Sequence, residues 1–192
     1  MSDLGVEVLD QLEESFGSLV YPGDEQIVYD NSGHHLECVD VKQTFLGKHW
    51  RELSLDTLVY ENSALSFFTP LAFQFYLPAY LSAVVKNYDQ ADVLPSDVVF
   101  YLTVPSEADT LTQINALQRY ATSFDFDLRT FLLEQLSNSN QRVQRFIERV
   151  SIFDKKQGRV IKNFLLYMQL EHADDFPSQE PQTAIERYWF MF

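Results

Sequence analysis

Phe67–Leu81 reads FFTPLAFQFYLPAYL and lies inside a longer run, Asn62–Val85, of 24 residues without a charged side chain. In a chain of formal net charge -14 such a run is a membrane segment, the lining of a ligand pocket, or the middle of a core. Length alone permits a span, because about 20 apolar residues cross a bilayer as a helix. Only 16 of the 24 are apolar, however, and Pro70 and Pro78 interrupt them. Pro78 removes a backbone donor near the centre, and no basic cluster flanks the run to orient it. The run reads as core. Thr69 followed by Pro70 is an N-cap and first-turn pair that starts a helix. Leu71, Phe73, Phe75, Tyr76 and Leu77 then surround that helix with apolar groups. Pro78 is expected to kink it or to begin a second segment, with Leu81, Val84, Val85 and Tyr88 continuing at helical spacing. An aromatic set such as Phe73, Tyr76 and Trp50 reads as core before it reads as a pocket.

Working outward, 192 residues are expected to form a single domain, 1–192. Sixteen Phe, 10 Tyr and 2 Trp are enough rings to dominate its core. Leu4, Val8, Leu12 and Phe16 repeat at helical spacing behind Ser2 as N-cap. YPGDE (Tyr21–Glu25) is a turn. Leu36, Val39, Gln43 and Leu46 predict a second amphipathic helix that stops at Gly47, and Ser54 opens a third. SDVVFYLTV (Ser96–Val104) lies between Pro95 and Pro105 and is a short strand or one apolar helix; propensity favours the strand, but a run this short is not decidable by period. Ser106 caps a helix with Leu111, Ile114, Leu117 and Ala121 on one face. Leu128, Leu132, Leu133 and Leu136 make another, ended by Ser137–Asn140. Val143, Phe146, Ile147 and Val150 make a further one. Asp154 caps a long helix that faces Ile161, Phe164, Leu165 and Met168 inward. Ile185, Tyr188, Trp189 and Phe192 form a terminal docking face. The fold class is mainly α, with α+β as the alternative if SDVVFYLTV supplies a strand.

Charge is uneven. Residues 1–61 hold 13 acids and 3 bases, whereas Arg142–Lys162 holds 7 bases and 2 acids. Arg142, Arg145 and Arg149 fall on one helical stripe. That stripe reads as a solvated face offsetting the acidic N-terminal helices. Nucleic acid is not an expected partner, because the net charge repels phosphate and no basic-aromatic groove surrounds the arginines. The acidic start, MSDLGVEVLD, lacks the basic-then-apolar run of a signal peptide, and Cys38 is the only cysteine. No internal disulfide can form, and a reducing, cytoplasmic compartment fits.

Catalytic signatures are missing: the sequence has no Gly-rich phosphate loop, no nucleophile elbow and no H-E-x-x-H. GHHLEC gathers His34, His35, Glu37 and Cys38, all metal-ligand types, with His49 downstream. His34 and Cys38 stand four apart, but helical geometry does not put three ligands on one face. The simpler reading makes His34–His35 the approach to a helix, with Glu37 in its first turn and Cys38 a small buried group. A Cys38–His nucleophilic pair lacks an oxyanion or substrate motif. Asp125 and Asp127 resemble a carboxylate pair but read as an N-cap followed by a first-turn acid. No cofactor is expected.

FxGKxW, filled by Phe45, Gly47, Lys48 and Trp50, precedes the YLPAY element at Tyr76–Tyr80. Gln157, Ile161, Phe164 and Leu165 then lie on one helix, and Tyr188–Trp189 stand near the C-terminus. This pattern resembles a bacterial domain family of unknown function. The resemblance spans about Tyr21 to Trp189 and implies no enzymatic activity. By analogy with small acidic bacterial proteins, it suits an immunity protein. The expectation is therefore a non-catalytic binding protein, in its most concrete form an acidic immunity protein neutralising a basic toxin. Its partner surface would use Asp3, Glu7, Asp10, Glu13 and Glu14. The alternatives are a housekeeping interaction protein, and an enzyme or metal-binding protein with a site at His34, His35, Glu37 and Cys38 near Trp50.

Overall fold

Helix α4 (Pro70–Lys86) decides the architecture, since Phe75–Val85 is buried on every face. The Thr69 hydroxyl accepts the Ala72 amide at 3.2 Å, and Pro70 fills the first turn, where an amide would go unused anyway. Pro78 does not divide the helix, which runs through it for 17 residues. The computed structural model describes residues 2–118 and 127–192, and contacts divide these into two compact units. The larger comprises residues 2–103 and Arg149–Phe192; the smaller is Val104–Glu148.

In the larger unit, α1 (Asp3–Phe16), α2 (Leu36–Phe45), α3 (Leu55–Tyr60), α4 and α5 (Leu94–Tyr101) are followed by α9 (Lys155–Glu171) and α10 (Glu180–Arg187). Helix α1 lies between α4 and α9, and α10 closes on α9 and α5. Ser2, Ser54 and Asp154 cap α1, α3 and α9 as their sequence positions predict. Asp154 and Gln157 make a reciprocal capping box. Phe45, Phe68 and Tyr76 form one ring cluster, with centroids 4.9 to 5.2 Å apart. Phe153 touches Phe16, Phe73 and Trp189. Each such fully buried ring contributes about 1.5–3 kcal/mol over its exposed state. The buried tyrosines find the partners they need: Tyr76 donates to the carbonyls of Phe45 and Lys48, and Tyr80 to that of Glu61.

The smaller unit holds α6 (Glu107–Gln118), α7 (Leu128–Ser137) and most of α8 (Ser139–Val150), with α6 against α7. Ser106 and Asp109 cap α6 reciprocally. Asp127 is itself the cap of α7, taking the amides of Arg129 and Thr130, so it is not a first-turn acid behind a cap. Asp125 and Ala121 lie outside the described residues.

Mainly α is the observed class: the described residues form helices and one isolated antiparallel bridge, Val28 to Phe68. Three further expectations are corrected. SDVVFYLTV makes no strand; Leu94–Tyr101 is helical, with Leu94, Val98 and Val99 buried. Helix α2 buries Cys38, Val41 and Phe45, leaving Leu36 71% and Leu46 47% exposed, because Phe45 is drawn into the Phe68–Tyr76 cluster. In α6, Ile114 is buried with Thr110, but Leu111 and Leu117 face outward.

Candidate functional site

The GHHLEC stretch was the first candidate for chemistry, and the structure gives each side chain a local task. His35 is the N-cap of α2, its Nδ1 accepting the Cys38 amide at 3.4 Å. Its Nε2 lies 3.1 Å from the Tyr29 hydroxyl. The His35 ring also meets Phe67 edge-on. His34 is exposed and its amide donates to Ser32. Glu37 is exposed, 3.2 Å from His35 Nδ1. Cys38 is buried, and burial pushes its thiol above the ordinary range, opposite to the depressed value a nucleophilic thiolate needs. His34, His35 and Cys38 are not brought together, and no trio of His, Cys, Asp or Glu among the described residues is placed to hold a metal ion. Trp50, Phe73 and Tyr76 are all buried in the core.

The acidic residues of α1 are differently placed. At about 100° per residue, Asp3, Glu7, Asp10 and Glu14 fall on one stripe, opposite Val8, Leu12 and Phe16. The structure keeps that division: the four carboxylates and Glu13 are exposed, while the three apolar residues are buried. Glu13 stands off the stripe and is already engaged. Both its oxygens take the Arg51 guanidinium, at 2.5 to 3.1 Å, and this hydrogen bonding holds its carboxyl below the usual range. Glu14 stands 3.8 Å from Lys156. Among the described ion pairs none involves Asp3, Glu7 or Asp10.

Beside this stripe, where α1 runs antiparallel to α9, lies a groove that sequence reasoning missed. Leu4 and Val8 form one wall, Leu166 and Leu170 the other, with Leu170 70% exposed. Polar groups cross between the walls: Asn163 donates to Gln11 Oε1 at 2.8 Å, and Gln11 donates to Glu7 Oε1 at 2.9 Å. No signal in the sequence pairs α1 with a helix 150 residues away; only the outward Leu170, off the stripe of Ile161, Phe164, Leu165 and Met168, hinted at unspent apolar surface.

The basic stripe is not a uniform solvated face. Arg145 is exposed, but Arg142 and Arg149 are half-buried. Within the smaller unit Arg142 donates to Thr110 Oγ1 and the Gln135 carbonyl. Within the larger, Arg149 donates to the Leu65 carbonyl and lies 4.7 Å from the Phe73 ring centroid. Desolvation lowers the Arg149 pKa to about 10, still leaving it a cation at neutral pH.

Fold and surfaces thus define a strongly acidic helical protein whose outward features are a carboxylate stripe and an adjoining apolar groove. The chain belongs to the Family of unknown function DUF6714, whose pattern matches residues 24–124, just over half its length. The match includes GKHW and YLPAY and ends before Gln157 and the Tyr188–Trp189 pair; α1 and α9 also lie outside it. No curated protein and no solved structure matches the chain. Among the described residues no helix is long and apolar enough to cross a membrane.

Proposed function

We propose that this chain is a non-catalytic binding protein that holds a basic protein partner on the outer face of α1. Its most specific form is a cytoplasmic immunity protein neutralising a basic toxin. The observation that carries the reading is the stripe of Asp3, Glu7, Asp10 and Glu14, exposed along the helix and, among the described residues, paired with one cation, Lys156, at 3.8 Å from Glu14. Carboxylates that are not paired within the chain keep their field for a partner, and such a field speeds encounter with a basic surface. The buried, high-pKa thiol of Cys38 and the capping duty of His35 support a non-catalytic role.

The test is affinity capture of the tagged chain from its own cell lysate at low and high salt, followed by association kinetics with the captured protein. A stoichiometric basic partner lost at high salt is expected, and Asp3→Lys with Asp10→Lys should slow association at least tenfold at low salt. An empty capture, or an association rate indifferent to the double reversal, overturns the reading.

A further inference from the structure

We infer that the α1–α9 groove receives one amphipathic helix of the partner, carrying an apolar stripe and a basic flank. This rests on the binding role of the α1 face proposed above and adds the shape and chemistry of what binds there.

Two antiparallel helices leave a furrow that a third helix fills, and the exposed side chains here are arranged for that occupant. On α9, Asn163, Leu166 and Leu170 recur at i, i+3 and i+7, so they border the furrow as one ridge. On α1, Leu4 and Val8 stand one turn apart and face that ridge. Leu170, 70% exposed, is a large apolar side chain at the rim with its outer surface in water. The charges decide the occupant. Glu7 lines the groove itself, Asp3 and Asp10 are exposed on the adjoining outer face of α1, and Glu171 follows Leu170 at the same end of the furrow. At the other end α9 carries exposed Lys156 and Arg159. A helix seated here covers Leu4, Leu166 and Leu170 with its apolar stripe and turns Lys or Arg toward α1. Its end over Lys156 and Arg159 is free of bases. A bilayer surface lacks that pattern, and an acidic helix meets repulsion from Glu7 in the groove and from Asp3 and Asp10 beside it.

From Leu4 to Gln11 there are seven helical rises, about 10 Å, so a partner helix of three to four turns covers it. The probe is a synthetic 14-residue Leu/Lys peptide with Leu at i, i+3, i+4 and i+7, compared with a scrambled peptide of the same composition and with oligolysine of the same charge. The expected result is binding of the patterned peptide at least tenfold tighter than either control. Leu170→Glu, at an exposed site that leaves the core intact, should remove that advantage while sparing the weak oligolysine binding. Asp3→Lys with Asp10→Lys should weaken all three. Equal binding of patterned and scrambled peptides, or an affinity indifferent to Leu170→Glu, overturns the groove; if charge reversal still weakens oligolysine, the acidic face survives as a binding surface. Charge reversal without effect on any peptide overturns both. Sedimentation of the unmodified chain covers the remaining occupant: a dimer abolished by Leu170→Glu makes a second copy the tenant and overturns the inference.

Discussion

Trp189 donates its indole N–H to the carbonyl oxygen of Leu102 across 2.7 Å, joining the end of the chain to the end of α5. Both residues are fully buried, so neither group has water as an alternative partner. Trp189→Phe keeps most of the ring but strands the Leu102 carbonyl. The expected loss is about 1–3 kcal/mol, the desolvation cost of one orphaned buried acceptor. Trp189→Ala adds a cavity and should lose more, about 3–5 kcal/mol. Urea unfolding of the two variants checks the order, and a Trp189→Phe variant as stable as the parent would mean that the hydrogen bond contributes nothing beyond packing.

His172 caps the end of α9 and stacks on Tyr88 with centroids 3.4 Å apart, its Nε2 3.1 Å from the Tyr167 hydroxyl. Burial lowers its pKa below the ordinary 6.5, outweighing the opposite pull of Asp175, Glu171 and Asp89. The folded state therefore binds a proton less readily than the unfolded state. Stability is full above pH 6.5 and falls as the pH drops through that value toward the lower folded pKa. Comparing the urea midpoints of the parent chain and His172→Asn between pH 7.5 and 5.5 should show the parent losing more of its midpoint on acidification. Parallel pH dependences refute the assignment.

Glu13 shows the same sign from an acid. Arg51 holds its carboxyl below the ordinary 4.5, so the pair contributes above that pH and its contribution is lost as the pH falls through the folded value. The pair is exposed, which limits the effect to about 1 kcal/mol or less. Glu13→Gln should cost that small amount at pH 7 and 50 mM salt, and progressively less as the pH falls below 4.5. Because Glu13 is spent on Arg51, its substitution should also change partner association less than that of Asp10.

These tests bear on the parts of the molecule that sequence could and could not supply. Caps were legible because they are local: Ser2, Ser54, Thr69 and Asp154 each sit one residue before the helix they start. The burial of α4 was legible because no face of it carries charge before Lys86 at its very end. The face of α2 was not, since Leu36–Val39–Gln43–Leu46 and Cys38–Val41–Phe45 both satisfy helical spacing, and rings from other elements chose the second. Residues Val98 and Val99 favour a strand by themselves, yet helical packing of α5 on α4 overrides that preference. The acidic stripe was legible, because Val8, Leu12 and Phe16 oblige the opposite positions to face water. The groove beside it needs Asn163, Leu166 and Leu170 set against α1, and no local pattern encodes that pairing.

A last relationship of this non-local kind links Gly158 and Phe192. The Phe192 ring lies over Gly158 in the second turn of α9, so close that a Cβ at 158 would overlap it. Lys162 also reaches the Phe192 carbonyl, at 2.7 Å. Two effects then oppose each other in Gly158→Ala. A mid-helix glycine replaced by alanine favours the helix by about 0.5–1 kcal/mol, while the ring must leave its site. Removing the ring separates the two. In a Phe192→Ala background, Gly158→Ala should stabilise by about 1 kcal/mol. In the parent chain the same change should give clearly less, or destabilise. A double-mutant cycle from urea unfolding measures the difference, and a coupling within error of zero would mean that the ring moves aside at no cost.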